Sequence, residues 1–229
     1  MSAKMDFIKE AKMIKRNGVS SLLQYLEEGT DFFTAPASTK FHGAHEVGLL
    51  LHSLTVLDIM VVLDDSLDLN LSKESLAICG LLHDVCKANF YQLDEEEPSQ
   101  AQLKYAQDLC EQVGIKMPAK TERTKNHMST VISALKSGVK ELPPFKQNYK
   151  VVDKLPMGHG EKSVYIINKF MPLEDEEALA IRWHLGGFDP GVNFNYPSGA
   201  PQKQSMRGNK LQALLISADI AASYLVDQW

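Results

Sequence analysis

The stretch CGLLHDVCK, Cys79 to Lys87, sets a histidine beside an aspartate inside an otherwise apolar run. Its apolar residues recur at helical spacing, and the segment Lys73 to Asn89 reads as one buried helix. Neighbours on a helix point about 100° apart, so His83 and Asp84 do not share a face and do not pair as residues one turn apart would. Burying a carboxylate without a partner is costly. Something outside this helix must satisfy both side chains.

Working outward, almost every periodic segment is helical. Helices are predicted over about Ala3 to Arg16, up to Glu28, over Ala44 to Leu63, over Glu122 to Ser137, over Gly160 to Met171, over Leu173 to Leu185 and over Gly208 to Val226. Ser99 and Gln102 suggest a capping box for a further helix ending near Gly114. NYKVVDKLP, from Asn148, is the one convincing extended piece, in the form of a short hairpin arm. GGFDPGVNFNYPSGAPQKQSM, from Gly186, is a long irregular loop of the kind that is functional or disordered in compact domains. The pattern predicts one all-α domain over residues 1–229, with a variable insertion at about 92–157 that holds helices and a short extended segment.

The histidines show the same conflict as the opening stretch. There are seven. His52 in GLLLHSLTV, His83 in GLLHDVCK and His184 in LAIRWHLGG all sit in strongly apolar helices, as does Asp219 in LLISADIAASY. One buried histidine is ordinarily a hydrogen-bonded core residue. Three buried histidines and two buried aspartates on separate helices need a common explanation, and a divalent cation supplies it. His52, His83, Asp84 and Asp219 gathered around an ion would satisfy each other, with His83 and Asp84 bound to the ion rather than to one another.

Composition bounds the rest. Apolar residues make up 44% of the 229, enough for one sizeable core. No apolar run is long enough to span a membrane, and the charged, helical start is no signal peptide. Three cysteines, two of them too far apart along one helix to bridge, fit a reduced, cytoplasmic setting. The net charge of −5 argues against a general nucleic-acid binder. Residues 116–154 nevertheless carry nine Lys/Arg against three Asp/Glu, which reads either as a solvated insertion or as a positive wall for a phosphorylated ligand.

With these residues in order, the chain resembles the HD superfamily of metal-dependent phosphohydrolases. FHGAHEVGLLLHSL, from Phe41 to Leu54, resembles the first-histidine helix of HD domains in certain bacterial 3′–5′ exoribonucleases. LLHDVCK resembles the HD-x-x-K form seen there and in HD-GYP cyclic dinucleotide phosphodiesterases. MGHGEKSV and ALAIRWHLGGFD resemble the segments bearing the next two histidines, here His159 and His184. The similarity covers residues 41–91, 156–190 and 208–225, and the insertion has no matching counterpart.

The resemblance implies an HD-type helical bundle in which His52, His83, Asp84 and Asp219 hold a first ion. His159 and His184 would hold a second, with Asp84 bridging. The histidine-rich set favours Mn, Fe, Co, Ni or Zn over Mg. Two such ions would activate water for in-line attack on phosphorus. With one ion, His159 and His184 would instead contact phosphate or protonate the leaving oxygen. Lys87, one turn past Asp84, would bind a non-bridging phosphate oxygen and stabilise transition-state charge, unless it is an ordinary helix-end lysine. His42, in a glycine-containing turn, is a candidate substrate contact or a surface residue. Arg182 is a weaker phosphate contact, and His45 and His127 read as surface residues.

The expected activity is hydrolysis of a phosphomonoester or phosphodiester in a small, nucleotide-like substrate. Small substrates are favoured because the chain is acidic and shows no RNA-binding domain of the exoribonuclease kind. The alternatives are a 3′–5′ exonuclease or cyclic nucleotide phosphodiesterase that holds a short oligonucleotide with the basic insertion, and a non-catalytic metal-bound nucleotide sensor. No membrane partner is expected. Exposed apolar positions on the first helix would support a homodimer.

Overall fold

A computed structural model describes residues 2–189 and 200–227. It is an all-α structure with one short two-stranded sheet. Contacts divide the chain into two units, residues 1–91 with 151–229 and residues 92–150.

The first unit is built from α1 (Ala3–Ala11), α2 (Val19–Glu28), α3 (Gly48–Ser66), α4 (Lys73–Leu82), α7 (His159–Asn168), α8 (Asp175–Arg182), α9 (Ala200–Gly208) and α10 (Lys210–Ala221). The second holds α5 (Gln100–Val113) and α6 (Lys125–Lys136). Strand β1 (Tyr91–Leu93) pairs with β2 (Tyr149–Val151), where the chain passes from one unit to the other and back. The extended segment predicted as half of a local hairpin therefore pairs with a strand remote in sequence.

In the first unit α3 packs on α4 and α10, α10 on α8, and α8 on α7. The core runs through Leu49, Leu50, Val56, Leu57 and Met60 of α3, Ile78, Leu81 and Leu82 of α4, and Leu214, Leu215 and Ala218 of α10. These positions follow the helical repeat that the sequence shows. The second unit has its own small core of Ala106, Cys110, Met128, Val131 and Leu135.

Two glycines let helices cross closely. A Cβ on Gly80 would lie 2.8 Å from both Cα and Cβ of Leu57, so α4 meets the backbone of α3 there. A Cβ on Gly160 would lie 2.3 Å from the carbonyl oxygen of Arg182 and 2.5 Å from that of Ile181, so α7 meets the end of α8. Each crossing is a few residues from a pair of histidines: His52 and His83 at the first, His159 and His184 at the second.

Several elements differ from the sequence expectation. The helix predicted over Lys73 to Asn89 ends at Leu82, and a 3-10 turn, Val85–Lys87, follows. The chain holds neither glycine nor proline between Leu82 and Lys87 to announce that stop. Ser99 does cap α5 by accepting from the Gln102 backbone N–H, but the Gln102 side chain donates to the Lys125 carbonyl and Ser129 Oγ, so the box is not closed. The end of the predicted irregular loop is helical, as α9, and residues 190–199 lie outside the described residues. The last predicted helix is α10 followed by a π-helical turn, Ala222–Val226. Among the described residues, no helix is long and apolar enough to cross a membrane.

Candidate metal centre

The break after Leu82 answers how neighbours can face one point. His83 still has helical dihedrals, whereas Asp84 turns out of them, with φ −108° and ψ 18°. That is the sparsely populated bridge region, where active-site residues are often found. A second break repeats the design: α8 ends at Arg182, Trp183 takes φ −110° and ψ 17°, and His184 follows. Ser163 of α7 holds the first break in place by accepting from the Cys86 backbone N–H at 3.2 Å.

Five imidazoles then form a continuous row. Successive ring centres lie 5.1 Å apart from His42 to His52, 5.3 Å from His52 to His83, 5.0 Å from His83 to His184 and 5.3 Å from His184 to His159. Asp84 lies among four of them and divides its two oxygens. Oδ1 is 2.7 Å from His159 Nε2 and 3.4 Å from His184 Nε2. Oδ2 is 3.5 Å from His83 Nε2, 3.7 Å from His52 Nε2 and 2.7 Å from Lys87 Nζ. Asp219 Oδ1 approaches His52 Nε2 at 3.2 Å. The six residues expected to bind metal thus lie in one cluster, and Lys87 is buried against it.

The donor atoms fit a cation. His83 Nδ1 lies 3.0 Å from the Gly80 carbonyl and His184 Nδ1 lies 2.7 Å from the Ile181 carbonyl. A carbonyl only accepts, so both rings carry the proton on Nδ1 and leave a lone pair on Nε2. His52 Nδ1 lies 2.7 Å from the Asp227 carboxylate, which sets the same tautomer. The Nε2 atoms of His52 and His83 then face one another at 3.3 Å, lone pair toward lone pair unless one of them takes up a further proton. His184 Nε2 is, among the described residues, the one buried side-chain nitrogen or oxygen without a hydrogen-bond partner. Buried polar atoms are rarely left so. A divalent ion bound by neutral imidazoles and carboxylates removes both conflicts.

Without a metal, the carboxylates and Lys87 set the protonation of the cluster. Burial would push the Asp84 carboxyl up, but Lys87, His83 and His159 together hold it well below the usual carboxylate range. Burial acts likewise on Asp219, and the His52 contact more than reverses it, leaving Asp219 low. Burial would lower His52, but the Asp219 and Asp227 carboxylates raise it to about 9. His184 is raised as Asp84 outweighs its burial, while burial keeps His159 lowered despite Asp84. Lys87 is held above the ordinary lysine range because Asp84 outweighs its burial.

A cavity of about 240 Å³ opens on the cluster, lined by Asp84, Lys87, His184 and Asp219 together with His42 and Ser223. His42 stands 3.3 Å from Ser223 Oγ, and its pKa is lowered to about 4, first by burial and then by Lys87, so it is neutral in ordinary buffers. Arg182 is placed differently. Its guanidinium pairs with Glu161 at 2.6 Å and Asp189 at 2.7 Å and lies over the Trp183 ring, all partners outside the cluster. His45 is exposed, as expected. His127 is not: it is 4% exposed and packs edge-on against Phe145, because its helical position faces the small core of the second unit.

Sequence reasoning missed Asp227. Its partner His52 lies 175 residues away, so no local spacing links the two.

The chain is also similar to known proteins. The HD domain family matches residues 49–155, a span that contains His52, His83 and Asp84. Ribonuclease Y of Mycoplasmoides gallisepticum is 27% identical over 155 residues, covering 68% of this chain and 21% of that protein. The chain therefore spans about a fifth of that relative's length. No solved structure matches significantly. The fold and centre define a helical domain of the kind that binds divalent metal. Residues 49–155 are thus similar to the HD domain family, whose members are generally metal-dependent phosphohydrolases.

Proposed function

We propose that this chain hydrolyses a phosphoester bond of a small, nucleotide-like substrate at a centre for two divalent transition-metal ions. The observation that carries the proposal is the division of Asp84, one oxygen toward His159 and His184 and the other toward His83 and His52. That is the arrangement a bridging carboxylate needs. His52, His83 and Asp219 complete one side, and His159 and His184 the other. When bound, the ions lower the pKa of water and offset phosphate charge.

The chain's own residues supply the rest. Lys87 reaches the cavity with its ammonium and binds a non-bridging phosphate oxygen, where its charge opposes the charge that builds in the transition state. His42, neutral and on the same cavity, offers a hydrogen bond to substrate. A cavity of about 240 Å³ sits at the small end of ligand sites and favours a mononucleotide-sized group over a long polymer. Similarity to a protein named Ribonuclease Y supports a second reading, cleavage of short oligonucleotides from one end, with the Lys/Arg-rich residues 116–154 as a further contact.

The test is a screen of Mn-loaded protein against mono-, di- and triphosphate nucleotides, cyclic nucleotides and short oligonucleotides, with His83→Ala and Asp84→Ala as controls. Turnover of a nucleotide that both controls lose supports the first reading. Oligonucleotide turnover that weakens steeply with salt supports the second. Full activity in either control after exhaustive chelation refutes the metal mechanism.

A further inference from the structure

Three central histidines point Nε2 into the cluster, and each needs an acceptor for its Nδ1 proton. His83 and His184 find one locally, three residues back, at Gly80 and Ile181. They can do so because both stand just past a helix end, where carbonyls lose the N–H partner four residues on. His52 cannot. It lies inside α3, whose interior carbonyls serve the helix itself. Its acceptor has to come from elsewhere in the chain, and it is Asp227, at 2.7 Å.

The chain builds this contact deliberately in structural terms. After α10 the backbone widens into the π-helical turn Ala222–Val226, and the Asp227 N–H donates to the Ala222 carbonyl at 2.8 Å. Such turns are rare and occur often at functional sites. The Asp227 side chain is 8% exposed and the His52 side chain 1%, so the pair is shielded from water. A carboxylate on the far nitrogen of a metal-binding imidazole fixes its tautomer, aims the ring and strengthens the donor.

We infer that Asp227 is the positioning residue for His52: it takes the Nδ1 hydrogen bond that a mid-helix histidine cannot make locally and so presents Nε2 to the metal. The inference rests on the reading of His52 as a metal ligand. It makes the residues after α10 part of the centre rather than a trailing end. It also distinguishes the two halves of the centre, since the half holding His159 and His184 has no such remote carboxylate among the described contacts.

The experiment is titration of the metal-free protein with Co²⁺, followed by optical absorption and calorimetry, for wild type, Asp227→Asn, Asp227→Ala and His52→Ala. Thermal unfolding without metal is measured alongside. Asp227→Ala is expected to bind the same number of ions with about 10–100-fold weaker affinity at one of them and an altered absorption spectrum. Asp227→Asn keeps the shape and an acceptor but not the charge, and is expected to fold normally and still lose affinity at that ion. Wild-type affinity in Asp227→Asn, with His52→Ala impaired, overturns the inference and leaves the metal centre standing. Loss of a whole equivalent of Co²⁺ in Asp227→Asn also overturns it, because Asp227 would then be a ligand itself. Absence of Co²⁺ binding in wild type removes the metal centre and the inference together.

Discussion

Gly80→Ala tests whether helix spacing sets the metal centre. The new Cβ would meet Leu57 Cα and Cβ at 2.8 Å and Leu57 N at 3.1 Å. Ordinary contact begins at 3.4 Å, and backbone atoms cannot swing aside as a flexible side chain can. Because a close-packed interior yields little, α3 and α4 must part by about 0.6 Å. His52 rides on α3 and His83 directly follows α4, with their Nε2 atoms 3.3 Å apart. Metal–ligand distances tolerate changes of only about 0.2 Å, and catalytic constellations about 0.5 Å. A methyl group some distance from the donor atoms should therefore be felt at the ion. Overpacking of this kind costs about 1–3 kcal/mol, and each kcal/mol lowers the melting temperature by about 2–4 °C at this chain length. The metal effect separates from the packing effect when melting is measured with and without Mn²⁺. A tenfold weaker ion contributes about 1.4 kcal/mol less stabilisation at saturating metal. Gly208→Ala, where a Cβ meets nothing within 4 Å, is the control. If Gly80→Ala melts like Gly208→Ala, or keeps the full stabilisation by Mn²⁺, the reasoning from helix spacing to metal geometry is wrong.

Elemental analysis should find about two metal ions per wild-type chain and about one in His159→Ala, because Asp84 and the His52 side are left intact; a wild-type value of one removes the second ion alone. Lys87→Met should retain metal yet lose about 10²–10³-fold in kcat, measured on whichever substrate the nucleotide screen identifies; unchanged kcat would show that Lys87 serves only to balance Asp84. In metal-free protein the folded-state pKa of His52 is raised to about 9, against about 6.5 in the unfolded chain. Its contribution to stability is thus fully present below about pH 6.5 and is lost as pH rises toward 9, so chemical denaturation of the metal-free protein should show stability falling across that window. Excess Mn²⁺ should abolish the fall, since metal and proton compete for the same Nε2. Flat stability across the window without metal would refute the assigned contacts.

Much of the fold could be read along the chain because helical periodicity is local. The apolar positions of α3, α4 and α10 recur at the spacing of one helix face, and each of these helices forms close to where that spacing places it. His52, His83, Asp84, His184 and Asp219 were legible for a related reason: a titratable side chain inside an apolar stripe is in conflict with its surroundings, and the conflict is visible without coordinates. His159 was not legible in that way. Its side chain is 23% exposed, its flank is rich in glycine and charge, and only resemblance to HD domains pointed to it.

What the sequence determined by itself, then, is the set of helices and the demand for something to satisfy their buried polar residues. The tertiary structure decided how that demand is met. No residue between Leu82 and Lys87 commands a helix end, yet the chain leaves the helix at Asp84, because the contacts of that carboxylate with His159, Lys87 and their neighbours come from other helices and from the next turn. The link from His52 to Asp227 is invisible along the chain for the same reason. A hydrogen bond depends on distance in space, and the 175 residues between these two carry no local signal that folding will bring them within 2.7 Å.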